Sequence, residues 1–160
     1  MKHTLSVTVD NHPGVLARVA TLFRRRGYNI ESLCVGRTEE PSISRMTIVV
    51  DGDENVLEQV TKQLHKLVEV CKIMDITSEE SVDRELALFK VKAEPQVRAE
   101  IMQIVDIFRA HIVDIGRKTL IIEVTGDEGK INAMEDSLRP FGIIEMVRTG
   151  KVAMVRGPKT

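Results

Sequence analysis

Asp10-Asn11-His12-Pro13-Gly14-Val15-Leu16 is the stretch whose residue types and order can do ligand chemistry. Asp10 or Asn11 can cap a helix through a side-chain oxygen. Pro13 has no N–H to lose, and its fixed φ suits a turn or a helix entrance. Gly14 lacks a Cβ, so another group can approach the backbone closely. A helix start with free N–H groups, a small residue and an amide side chain can hold a carboxylate. The same residues also describe a well-capped turn with no ligand, and the local pattern leaves both readings open.

The flanking elements decide how such a turn is held. Upstream, Leu5, Val7 and Val9 alternate with Thr4, Ser6 and Thr8, a half-buried strand over 4–10. Downstream, Val15, Leu16, Val19, Ala20 and Phe23 have helical spacing, which predicts a helix over 15–26. Arg24-Arg25-Arg26 complements the C-terminal dipole, and Gly27 stops the helix. The triple Arg reads as a solvated helix end or as a patch for an acidic partner. A second strand starts within 28–35, a polar turn occupies 39–42, and a third strand covers 43–50. Gly52-Asp53 opens a helix with the apolar stripe Val56, Leu57, Val60, Leu64 and Leu67, and 68–76 returns as a strand. This order is βαββαβ, the ferredoxin-like plan. The plan puts the second and fourth strands on opposite sheet edges, too far apart for Cys34 and Cys71 to bridge within one chain.

Residues 77–83 are polar and aperiodic and read as a linker. The same order then recurs: a strand over 85–93, and a helix with Pro95 in its first turn carrying Val97, Ile101, Ile104, Val105 and Phe108. Strands follow over 111–116 and 119–125, then a helix with Ile131, Met134 and Leu138 that Pro140 ends, and a strand over 143–147. The tail over 149–160 carries three more apolar residues, Val152, Ala153 and Val155, and its end, 156–160, reads as frayed. The expected fold is therefore α+β, two ferredoxin-like βαββαβ units in tandem: residues 1–76, a linker at 77–83, and residues 84–160. Units this small leave open sheet edges that pair with another chain, so a homodimer is expected.

Composition narrows the function. Apolar residues make up 42% of the 160, enough for packed cores, but aromatics are only 3% and Trp is absent. Lys plus Arg is 23 against 24 acidic residues, which argues against a nucleic-acid footprint. The start has no apolar signal segment and no run suits a membrane span. Two cysteines make no disulfide framework, and a cytoplasmic location is expected. His3, His12, His65 and His111 lack metal-site spacing, and there is no Walker loop, G-x-G-x-x-G or G-x-S-x-G. No catalytic residue, metal ligand or cofactor site is expected in this chain. The central strands carry no aromatic for stacking RNA bases, and the first turn has no Arg of the kind an acylphosphatase needs.

Asp10 through Arg18 resembles the start of an ACT domain, the amino-acid-sensing βαββαβ module. Three further stretches are more specific: Phe23-Arg24-Arg25-Arg26-Gly27-Tyr28-Asn29-Ile30-Glu31-Ser32-Leu33, Ser44-Arg45-Met46-Thr47-Ile48, and 58–67. These resemble the small, regulatory subunit of acetohydroxyacid synthase (acetolactate synthase). Arg84-Glu85-Leu86 and Phe108-Arg109-Ala110-His111-Ile112-Val113-Asp114 extend the resemblance into the second half.

The resemblance implies a non-catalytic subunit that binds a large catalytic subunit carrying thiamine diphosphate, FAD and magnesium. That enzyme serves valine, leucine and isoleucine biosynthesis. The small subunit raises its activity and confers feedback inhibition, usually by valine. The resemblance further implies an effector site between the ACT domains of two subunits. Asn11, Gly14, Val15 and Leu16 match its loop-and-helix side, and Asn29 and Ile30 match the side supplied by the partner chain. His12 and Pro13 stand where the family varies and are possible neighbours of the site. The alternative is a free-standing ACT sensor that regulates another enzyme or a transcription factor.

Overall fold

The computed structural model describes residues 1–158. The first unit begins with β1 (Lys2–Asp10), α1 (Val15–Arg26) and β2 (Ile30–Arg37). It continues with β3 (Ile43–Asp51), α2 (Glu54–His65) and β4 (Val70–Asp75). Its sheet order is β2-β3-β1-β4, with antiparallel pairing throughout. Alternation along β1 sends Leu5, Val7 and Val9 to the helix side, where they pack with Val19, Phe23, Val60 and Leu64. Ser6 and Thr8 consequently face the other side of the sheet. Cys34 on β2 and Cys71 on β4 lie on opposite edges, and both are free thiols.

α1 spans the residues its apolar spacing predicts. Gly27 ends it with φ 69°, its N–H bonding to the Arg24 carbonyl while the Tyr28 N–H reaches the Phe23 carbonyl. This closes the orphan carbonyls of the last turn. At the head of α2 the Asp53 carboxylate accepts from the Val56 N–H at 2.9 Å.

The second unit begins at Asp83, within β5 (Ser81–Lys92), and continues with α3 (Arg98–Ile107), β6 (His111–Ile115) and β7 (Thr119–Gly126). α4 (Glu128–Leu138), a 3-10 turn (Arg139–Phe141) and β8 (Ile143–Arg148) complete it. Its sheet runs β6-β7-β5-β8 along the main path, repeating the order of the first. Phe89, Val91, Ile101, Val105, Ile122, Ile131, Met134 and Leu138 build a separate core.

Three local expectations change. A strand begins at Ser81, inside the stretch read as a linker. Its burial alternates from the first residue, but with polar side chains, so apolar content alone hides it. Pro95 lies in the turn before α3 rather than in its first helical turn. The tail forms β9 (Val152–Val155), and residues 151–158 group with residues 1–82 in the first unit. It is tied there by the Lys151 N–H to Ser32 Oγ at 3.0 Å and the Arg156 N–H to the Glu80 carbonyl at 2.8 Å. Arg156 is therefore anchored, while Lys159 and Thr160 lie outside the described residues.

Candidate functional site

The β1–α1 turn is stitched to two other loops through its first residues. Asp10 pairs with Ile43 at the end of β3, and its N–H donates to the Glu69 carbonyl at 2.8 Å. The Asn11 N–H donates to the Ser42 carbonyl at 2.8 Å, and Asn11 Nδ2 donates to the Pro41 carbonyl at 3.0 Å. The Asn11 side chain thus spends its NH2 group on the β2–β3 turn. Its Oδ1 is the end of the amide suited to a donor such as an ammonium group.

Neither Asp10 nor Asn11 caps α1. The cap is Gly14 itself, at φ 90° and ψ −14°, with no side-chain hydrogen bond, and the first helical turn holds no acidic residue. The left-handed conformation explains why glycine stands there. The leading N–H groups of α1 are left at a turn open to solvent, with no first-turn carboxylate to neutralise them. His12 and Pro13 are also exposed. His12 Nδ1 lies 3.2 Å from the Pro13 carbonyl, and Nε2 lies 4.0 Å from Asp10 Oδ2.

Val15 and Leu16 divide the labour of an apolar wall. Val15 is 4% exposed and belongs to the core, whereas Leu16 is 46% exposed and faces outward beside Gly14. Leu16 is therefore the side chain of this pair that can touch a ligand from the turn, with Val15 behind it.

Asn29 and Ile30 lie elsewhere. Ile30 opens edge strand β2 and pairs with Val50, whereas the turn leaves β1 where Asp10 pairs with Ile43. Seven residues of β3 separate those levels, roughly 23 Å at about 3.3 Å per residue. One chain places Asn11 through Leu16 at one end of the sheet and Asn29 and Ile30 at the other. Asn29 Nδ2 donates to Glu31 Oε1 at 3.0 Å.

Glu69 is the residue that the sequence reading missed. Its backbone carbonyl holds Asp10, and its buried carboxylate accepts from Arg18 Nη1 at 2.6 Å. It thereby grips the turn from both sides. The available signal was a lone acid between Val68 and Val70 in an apolar run, since a buried carboxylate needs a partner.

Residues 5–72 match the family model described as AHAS small subunit-like ACT domain, and residues 84–157 match the small subunit of acetolactate synthase. The chain belongs to the acetolactate synthase small-subunit family. A probable acetolactate synthase small subunit from Archaeoglobus fulgidus is 62% identical over 159 residues, 99% of each chain. The acetolactate synthase small subunit of Mycobacterium leprae is 54% identical, covering 98% of this chain and 93% of that protein. The crystal structure of the family member from Thermotoga maritima aligns with a TM-score of 0.92 at 44% identity over 99% of both chains. The first match covers the first repeat into β4, and the second covers the second repeat and continues through β9.

Proposed function

We propose that this member of the family is the regulatory subunit of acetolactate synthase. It docks on the catalytic subunit, which carries thiamine diphosphate, FAD and magnesium, and itself holds no cofactor and no catalytic residue. It works in the cytoplasm, raises the catalytic subunit's rate, and makes that rate sensitive to a branched-chain amino acid, valine.

One observation carries the placement of the effector. The two halves of the residue set, Asn11 through Leu16 and Asn29 with Ile30, lie at opposite ends of one sheet. A homodimer that sets the β1–α1 turn of one ACT domain against the β2 start of its partner unites them. The effector carboxylate then lies at the open N-terminus of α1 beside Gly14, where N–H groups and the helix dipole favour an anion. Asn11 Oδ1 and the partner subunit's Asn29 receive the ammonium group, and Leu16 with the partner's Ile30 encloses the side chain. His12 and Pro13 border the same opening.

A site shared by two chains gives the effector different contacts in different dimer arrangements, which is the requirement for shifting an equilibrium. A coupling of about 1–3 kcal/mol suffices for ordinary feedback. An apolar pocket separates ligands that differ by one methylene by only roughly 1–3 kcal/mol, so valine preference is modest.

The test is acetolactate formation by a matching catalytic subunit, with and without this chain, across a valine titration. A rate that rises on addition and then falls with valine supports the reading. A rate unchanged under conditions where the two proteins could associate returns the chain to a free-standing amino-acid sensor.

A further inference from the structure

The outer face of the first unit's sheet, opposite its helices, holds a cavity of about 410 Å³. None of the residues 11–16 of the effector turn lines it. Strand register sets its chemistry. Thr8 on β1 pairs with Arg45 on β3 and with Lys72 on β4, so these three side chains form one row across the sheet. The next row toward the apolar end contains Ser6 and Met74. Ile76 lies beyond, roughly 13 Å from Lys72 at about 3.3 Å per residue. The tail supplies the opposite wall through Ala153, Met154, Val155 and Gly157.

The cavity is thus cationic at one end and apolar at the other. Glu39 also lines it, so the two cations exceed the acids by one. Arg45 Nε is shielded from solvent and has no hydrogen-bond partner among the described residues. A buried guanidinium donor without an acceptor is costly, which marks a place where another acceptor belongs.

We propose that this cavity binds a small amphipathic monoanion, a carboxylate with an aliphatic tail. The carboxylate lies against Arg45 and Lys72, where a guanidinium gives charge-assisted hydrogen bonds. The tail lies between Met74, Ile76 and Val155. This is a second ligand site, independent of the amino-acid effector reading, and its ligand needs no ammonium group.

Methionine methyl resonances of the full chain report on it, with hexanoate as the probe and hexan-1-ol as its uncharged counterpart. Met74 and Met154 line the cavity, Met46 is in the first unit's core, and Met102 and Met146 belong to the second unit. Hexanoate is expected to shift Met74 and Met154 saturably, with hexan-1-ol at least about tenfold weaker. Arg45→Gln and Lys72→Gln should each weaken hexanoate by about tenfold and leave hexan-1-ol unchanged. Lys72 is exposed, so its variant remains informative if the Arg45 variant folds poorly, and the Met46 resonance checks folding. The proposal is overturned if hexanoate gives no saturable shift, if the alcohol binds as well, or if Lys72→Gln retains full hexanoate affinity.

Discussion

Arg18 Nη1 donates to Glu69 Oε1 at 2.6 Å, joining a side chain 56% exposed to one only 8% exposed. The pair is therefore lopsided. Truncating Glu69 leaves an arginine that water can solvate. Truncating Arg18 leaves a carboxylate buried without its cation, and Glu69 Oε2 already has no partner among the described residues. Arg18→Met should cost about 1–3 kcal/mol, the penalty of an unsatisfied buried group. Glu69→Gln should cost about 1 kcal/mol or less, as for an exposed ion pair. Urea unfolding of the two variants checks this, and the reverse order would show that Glu69 is not what holds the turn.

Gly14 separates conformation from charge. Its φ of 90° strains any L-residue, but a Cβ there meets nothing within 4 Å. Gly14→Ala should lose about 1–2 kcal/mol of stability and keep most of its effector affinity. Gly14→Asp adds a carboxylate where the effector's own should lie and should abolish valine binding while leaving activation of the catalytic subunit largely intact. Calorimetry with valine distinguishes the two; wild-type affinity in Gly14→Asp would move the carboxylate site elsewhere.

Asn11 and Asn29 lie at opposite ends of one sheet, which makes subunit mixing informative. Asn11→Ala and Asn29→Ala should each weaken valine binding by about tenfold or more, the value of a hydrogen bond to a charged group. A mixed dimer of the two variants carries one doubly altered site and one intact site. Statistical 1:1 exchange makes about half of the dimers mixed, so mixing should restore tight binding at about a quarter of the wild-type stoichiometry. No restoration after proven subunit exchange would place both amides in a site belonging to a single chain.

Cys71 offers a pH-dependent readout of the same turn. Partial desolvation of the sulfur, then the hydrogen bond to Asp10 and its charge, hold the thiol above its ordinary range. Cys71 Sγ lies 3.5 Å from Asp10 Oδ1, and the residue as a whole is exposed, so Asp10 is the cause that a substitution can remove. Asp10→Asn should lower the thiol's pKa. In a Cys34→Ser background, alkylation of Cys71 at about pH 8, below the ordinary thiol value of about 8.5, should run several-fold faster, with the gap closing once both thiols ionise. Equal rates at that pH would show that the carboxylate does not govern the sulfur.

Local signals made most elements legible. The stripe Val15, Val19, Phe23 with Gly27 bounds α1, and β1 alternates so strictly that its core face follows from period alone. What escaped depended on partners distant in sequence. The start of β5 is polar, and β9 lies in a tail whose anchors, Ser32 and Glu80, are far upstream. The expected cap by Asp10 or Asn11 failed because Gly14 ends the turn in a left-handed conformation, leaving Asn11 to bind the Pro41 carbonyl. The turn motif and the family resemblance nominate the candidate residues. That they occupy two ends of a sheet required the register of β1, β2 and β3.

The return of the tail has a consequence for biosynthesis. Because the chain from Lys151 packs with residues 1–82, the second unit is a long excursion from a body that it interrupts. Translation delivers the β1–β4 sheet before the second unit and its closing segment after it. A body whose first part leaves the ribosome before the second unit is thus completed only after it, and a nascent chain stalled before Lys151 would lack the wall that the tail supplies on the outer face of that sheet.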